Sequence, residues 1–297
     1  MSAALLVAPD FLLIAFGALL ARRFAYGATF WEGVERLVYF VLFPALLFKS
    51  LATSPLSLAG QGPLALTALG YVLGAMALSA LAKPLFRLDH DTFAACFQTG
   101  FRFNTYLVLA IAARLGGAEG AALASLVVGI AVPIVNLAAV AALAHGHAGR
   151  IALEIARNPL VLATLAGLTW NQLAWPVPQV PLRMLELLAA AALPLGLLAV
   201  GAALRFERDA LPMPALAWFH LVKLAAMPAI ALALAYALGL SPLQTQIALA
   251  HAAAPTATSA YILAQRMNGR GAPVALIIST GTALGALTLP LWLALVA

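Results

Sequence analysis

The chain has 297 residues, 64% of them hydrophobic and only 9% charged, with a mean hydropathy of +1.02 and a formal charge of +6. So little charge cannot clothe a soluble globule of this length, which excludes a water-soluble enzyme or binding domain and points to a polytopic membrane protein. The basic excess does not indicate nucleic acid, because the bases lie in short loops between apolar runs. The single cysteine, Cys96, excludes internal disulfides and a cysteine-built metal site.

A spanning helix needs about 20 mostly apolar residues. Reading between charged and Pro/Gly-rich breaks predicts spans over residues 4–21, 35–53, 63–82, 92–114, 120–143, 158–176, 182–204, 214–238, 243–265 and 273–296. The first has no basic residue before it and Arg22 and Arg23 after it, so a cleavable signal peptide is not expected. Before the sixth, Arg150, Glu154 and Arg157 make residues 147–157 amphipathic, a stretch suited to the interface, with Asn158-Pro159 then opening the helix.

Basic residues set the topology. The loops after the odd-numbered spans hold Arg22, Arg23, Arg36, Lys83, Arg87, Arg150, Arg157, Arg205, Arg208, Arg266 and Arg270, while the other side holds Lys49, Arg114 and Arg183. By the positive-inside rule both termini face out of the cytoplasm. Five spans per half is an odd number, so residues 1–145 and 146–297 would insert in opposite orientations as two inverted repeats. An offset of about 150 residues supports this weakly, aligning Pro44 with Pro194, and an offset of 152 aligns Arg114 with Arg266, Gly117 with Gly269 and Gly129 with Gly281.

Two polar, helix-breaking patches stand out, one in the fourth span of each half: Thr99-Gly100-Phe101-Arg102-Phe103-Asn104-Thr105, and His251 through Pro255-Thr256-Ala257-Thr258-Ser259. In lipid every backbone donor and acceptor needs an internal partner, so such interruptions are tolerated where they line a buried cavity, and secondary transporters build substrate sites from them. Span 4 entering near Thr92 places Arg102 about 15 Å deep at 1.5 Å per residue, and the break at Pro255 reaches a similar depth. The two interruptions can therefore cross. Each new half-helix begins with a positive dipole end that attracts anions, and the hydroxyls of Thr105, Thr256, Thr258 and Ser259 could cap these ends or touch a ligand.

Arg102, Lys223 and His251 all map near mid-depth, whereas the acids fall at segment ends (Asp10, Glu119, Glu186) or in loops. A sodium or proton antiporter of this design would want carboxylates at the break, so their absence argues for an anionic cargo. Each residue also has a structural reading. Arg102 could satisfy carbonyls freed by the broken helix, Lys223 could neutralise half-helix C-terminal ends, His251 could be a packed imidazole, and Asn104 could be a helix cap. The functional readings place Arg102 and Asn104 on the cargo and give Lys223 and His251 coupling or charge balance. Pro255 reads as the helix breaker, and Gly70 and Gly74 as close-packing positions.

Three stretches resemble the auxin efflux carrier family, which includes bacterial carriers and the plant PIN-type auxin exporters: FRFNTYLVLA from Phe101 to Ala110, RNPLVLATLAGLTWN from Arg157 to Asn171, and the run from His251 to Pro290. The resemblance implies an all-α membrane fold of ten transmembrane helices in two inverted five-helix repeats with crossed broken helices 4 and 9, similar to bile-acid symporters and sodium/proton antiporters. It also implies a scaffold domain (spans 1, 2, 6 and 7) and a transport domain (spans 3–5 and 8–10) that moves organic anions, auxin or dicarboxylates, like an elevator. By position Asn104 matches the crossover Asn and Pro255 the crossover Pro, while Phe103 stands where plant relatives carry a second proline. The expected function is secondary transport of a small carboxylate, with a proton or sodium antiporter and a non-transporting anion sensor as alternatives. No HExxH motif or nucleophile/base pair suggests an enzyme. The expected partners are the anion and the bilayer, with no cofactor, metal or nucleic acid; a homodimer is left open.

Overall fold

The computed structural model describes residues 3–24, 26–53, 60–143, 158–205, 211–267 and 270–296, all of whose regular structure is helical. The amphipathic stretch 147–157, with Arg150, Glu154 and Arg157, and also Arg208, lie outside the described residues.

The first half contains α1 (Ala3–Arg23), α2 (Ala28–Leu37), a π turn (Val38–Leu42), α3 (Phe43–Ala52), α4 (Gly62–Ala80), α5 (Ala82–Phe86), α6 (His90–Phe97), a 3-10 turn (Gln98–Gly100) and α7 (Thr105–Leu143). The second contains α8 (Pro159–Gln172), α9 (Gln179–Ala202), α10 (Met213–Leu221), a π turn (Val222–Ala226), α11 (Met227–Ala237), α12 (Pro242–Ala253), α13 (Ser259–Met267) and α14 (Gly271–Ala294). Six helical stretches are long and apolar enough to cross a membrane by length and composition: 4–23, 62–86, 90–143, 179–202, 213–237 and 271–294. The remaining predicted spans are also helical, but α8 has only 14 residues, the run through α2 and α3 carries Glu32, Glu35 and Arg36, and the ninth is interrupted. The long stretch 90–143 is divided as well, since Gly117 at φ +55° turns the chain at the end of a predicted span in a conformation open to glycine.

Local chemistry sets the helix starts. Asn158 accepts from the Leu160 and Val161 N–H groups with Pro159 in the first turn, and Ser241 and Gln244 form a capping box ahead of α12. Both π turns run into a proline, Pro44 or Pro228, which cannot donate to the carbonyl four residues earlier. In the second case that carbonyl, Leu224 O, accepts from Trp292 Nε1 of α14 at 2.8 Å.

The helices pack through small residues, as expected where lipid tails are as apolar as leucine. A side chain at Gly17 would strike the Leu198 carbonyl and one at Gly201 the Ile14 carbonyl, so α1 and α9 touch backbone to backbone. Gly70 and Gly74 of α4 face Leu234 and Ile230 of α11. A continuous core joins Val38, Leu47, Leu64, Tyr71, Val127 and Ile247, while Leu12, Leu66, Leu287 and Leu291 lie exposed on the outside, a face suited to lipid. Asp10, placed at a segment end from sequence, lies inside α1; it is fully buried and accepts from Nη1 and Nη2 of Arg114, which also donates to Leu6 O at 2.8 Å. An acid eight residues into α1 can stay there only because the cation at the end of the first part of α7 pairs with it.

Candidate functional site

The two interruptions meet. The second is made by Pro255: it has no N–H, and it pushes Ala254 into an extended conformation at ψ 132°, so α12 stops at Ala253. The first contains no proline. There Thr99 bonds its hydroxyl back to Cys96 O at 2.6 Å, Phe101 leaves helical geometry at φ −133°, and Asn104 restarts the helix by accepting from the Tyr106 and Leu107 N–H groups at 3.1 and 3.2 Å. Each break then supplies what the other lacks. Asn104 N–H donates to Pro255 O at 2.8 Å, the Thr256 hydroxyl donates to Thr99 O at 2.6 Å, and Gln98 Nε2 donates to Ala260 O at 3.2 Å. Lys223, from the second π turn, donates to Ala252 O at 2.9 Å beside Met227 Sδ at 3.2 Å, so its ammonium neutralises the C-terminal end of α12.

Arg102 does not serve freed carbonyls. Its Nη1 donates to Ser259 Oγ at 3.0 Å and its Nη2 to Asn136 Oδ1 at 2.6 Å. Its side chain is 7% exposed, and both partners are neutral. Tyr39, in the first π turn, lies within electrostatic reach of the guanidinium. Two donors here are buried without an acceptor: Arg102 Nε and Asn104 Nδ2. Buried donors are normally satisfied, so these two orphans, one of them on the guanidinium itself, are exceptions to the rule. Around them Thr105 and Thr258 are half-buried and Ser259 is exposed.

Of the residues picked from sequence, Arg102 is bonded to Ser259, Asn104 to Pro255, and Thr256 to Thr99 of the other break, and Thr105 and Thr258 adjoin them in sequence. Thr256 is 3% exposed, with its hydroxyl committed to Thr99. His251 is fully buried; its Nδ1 meets the Tyr71 hydroxyl at 2.8 Å, and the Phe103 ring lies 3.8 Å from its own. Sequence reasoning missed Asn136, Tyr39 and Tyr71. An amide alone in the apolar run Ile134-Val135-Asn136-Leu137 was the available signal for the first, since polar groups at membrane depth are functional by default. Among the described residues no group of three His, Cys, Asp or Glu could hold a metal ion.

The apolar helices define a multi-pass membrane protein, and comparisons with known proteins place it among membrane transport proteins. The family described as "Membrane transport protein" matches residues 147–293. A protein of Rhizobium meliloti (strain 1021) named "Putative malonate transporter" is 30% identical over 286 residues, which cover 88% of this chain and 85% of that one. The chain belongs to the auxin efflux carrier family.

Proposed function

We propose that the protein is a secondary transporter of a small carboxylate, bound at the meeting point of the two broken helices. The observation that carries this reading is the pair of buried, acceptor-less donors, Asn104 Nδ2 and the Nε of the Arg102 guanidinium, whose bonded partners are uncharged. A carboxylate presents two acceptor oxygens and a negative charge, which answers both deficits together. Ser259, Thr258 and Thr105 would take the distal end of the guest, Thr256 and Pro255 would hold the two breaks in register, and Asn136 would orient Arg102. Lys223 and His251 would balance charge beside the site. The relative's name makes a dicarboxylate such as malonate the first cargo to try.

Around that site the reading takes the fold as ten spans in two inverted repeats, 1–145 and 146–297, with both termini in the periplasm of a bacterial inner membrane. Spans 3–5 and 8–10 would carry the crossover as one rigid transport domain past a scaffold of spans 1, 2, 6 and 7, in an elevator movement. The intimate α1 to α9 contact, which joins two scaffold helices, and the bonds between the two breaks, which join two transport helices, support that division. A cation antiporter finds less support, because the buried carboxylate among the described residues, Asp10, is already paired with Arg114.

The test is uptake of labelled malonate, malate and monocarboxylates into liposomes containing the purified protein. Saturable uptake of one acid, abolished by Asn104→Ala, is the expected result. Equal leak of all acids with and without protein would end the proposal.

A further inference from the structure

Beside the second break, three titratable side chains from three elements meet in the interior. Lys223 of the π turn is 2% exposed, and Tyr71 of α4 and His251 of α12 are fully buried. The Lys223 ammonium is held by a carbonyl and a thioether, Ala252 O and Met227 Sδ. His251 shares one ring nitrogen with the Tyr71 hydroxyl, and its other nitrogen, Nε2, is buried without a partner. Whichever of the two holds the hydrogen between Nδ1 and Oη, one imidazole nitrogen remains unengaged.

No carboxylate lies on the described elements packed against the Lys223 turn. The elements packed on the Lys223 turn are α4, α10, α11, α12, α14 and the Gln98–Gly100 turn, and their titratable groups are Tyr71, His220, Tyr236 and His251. His220 is bonded to Thr280 at 2.9 Å and Tyr236 is exposed. A proton held here therefore adds a positive charge that no carboxylate of these elements compensates. The anion site is close by. Ala252 is three residues from Pro255, whose carbonyl holds Asn104, and Phe103 lies against the His251 ring. That places the amine on the order of 10 Å from the crossover at a few ångströms per residue.

We propose that Lys223, His251 and Tyr71 form a proton-binding site coupled to the crossover anion site, so that a proton enters with each carboxylate and the carrier works as a proton–anion symporter. The proposal rests on reading the crossover as an anion site. The bound carboxylate supplies the missing negative charge and favours the proton; by linkage the proton favours the carboxylate by the same factor. Two unit charges about 10 Å apart at an effective dielectric near 20 give a coupling of the order of tenfold. Tyr71 holds the imidazole through Nδ1 and leaves Nε2 buried and without a partner.

The experiment uses the full chain in detergent, lightly buffered with a pH-indicator dye, into which pH-matched malonate is titrated. Malonate affinity is measured in parallel by calorimetry at pH 6.5 and 8.5. The expected result is alkalinisation by about half a proton per malonate bound near the midpoint of that range, and malonate affinity of the order of tenfold tighter at the lower pH, both lost in Lys223→Met and His251→Gln. Malonate binding with no proton uptake and an affinity flat with pH would overturn the symport proposal while leaving the anion site standing. Absence of binding by malonate, malate and monocarboxylates alike would overturn both. The wild-type proton count decides the matter even where a variant fails to fold.

Discussion

Replacing Arg102 separates a binding role from a structural one, because the two predict opposite effects on the empty protein. In the wild type the guanidinium is buried between Ser259 and Asn136 with no bonded carboxylate among the described residues. An uncompensated interior charge is a liability to the empty fold, so Arg102→Ala is expected to leave its thermal stability unchanged or to raise it, apart from the neutral hydrogen bonds lost at Ser259 and Asn136. The complex should behave the other way. A hydrogen bond between charged partners contributes about 1.5–3 kcal/mol, and at 1.4 kcal/mol per tenfold the loss corresponds to a roughly 10- to 150-fold weaker dissociation constant. Arg102→Lys should fall between, because an ammonium keeps the charge but cannot hold Asn136, Ser259 and a carboxylate in one plane. Calorimetric titration of malonate into each variant, alongside thermal unfolding of the unliganded proteins, provides both readouts. An Arg102→Ala protein that binds malonate like the wild type, or that loses several kcal/mol of ligand-free stability, would refute the assignment and return Arg102 to a structural role.

Other perturbations follow from single contacts. Arg114→Ala leaves the Asp10 carboxylate buried and unpaired and should destabilise the protein by about 3 kcal/mol, whereas Asp10→Ala should do less harm because the half-exposed arginine can reach water; paired denaturation curves in detergent would test this asymmetry. Trp292→Phe removes the donor on the carbonyl that Pro228 strands and should cost about 1 kcal/mol, with a smaller effect in a Pro228→Ala background, where the helix can supply its own N–H. Asp89 caps α6 through the Thr92 N–H at 3.0 Å, and those hydrogen bonds hold its carboxyl below the usual value. Asp89→Ala should therefore lose about 1 kcal/mol at neutral pH. The group's folded value is depressed, so its contribution is present above the ordinary carboxylate range and disappears as pH falls through the depressed value. The difference between wild type and variant should close in acid, as read by thermal unfolding across pH.

The helical content and the positions of both breaks, at residues 102–104 and at Pro255, were legible because each leaves a local mark: an apolar run, a proline, or polar residues inside an apolar run. The breaks differ in how visible their causes are. Pro255 announces itself, but the first interruption depends on Asn104 bonding to Pro255 O, 151 positions away, and no local pattern encodes that. The same limit hid the partners. Asn136 reaches Arg102 across 34 residues, Asp10 reaches Arg114 across 104, and Tyr71 reaches His251 across 180. Periodicity reports which face of a helix is apolar, and it is silent on which polar atom on a distant helix completes a pair. Asp10 shows the limit most clearly, since nothing near it in the chain points to Arg114.

The reciprocal bonds between the breaks have a consequence for how the chain reaches its final state in lipid. The Thr99 carbonyl finds its donor 157 residues downstream and the Pro255 carbonyl its donor 151 residues upstream, so neither half can satisfy its own backbone during insertion. Contacts of such long range close late, after both halves are in the bilayer. Until then each half holds a water-dependent wound at its centre, and separately expressed halves should depend on one another to escape degradation.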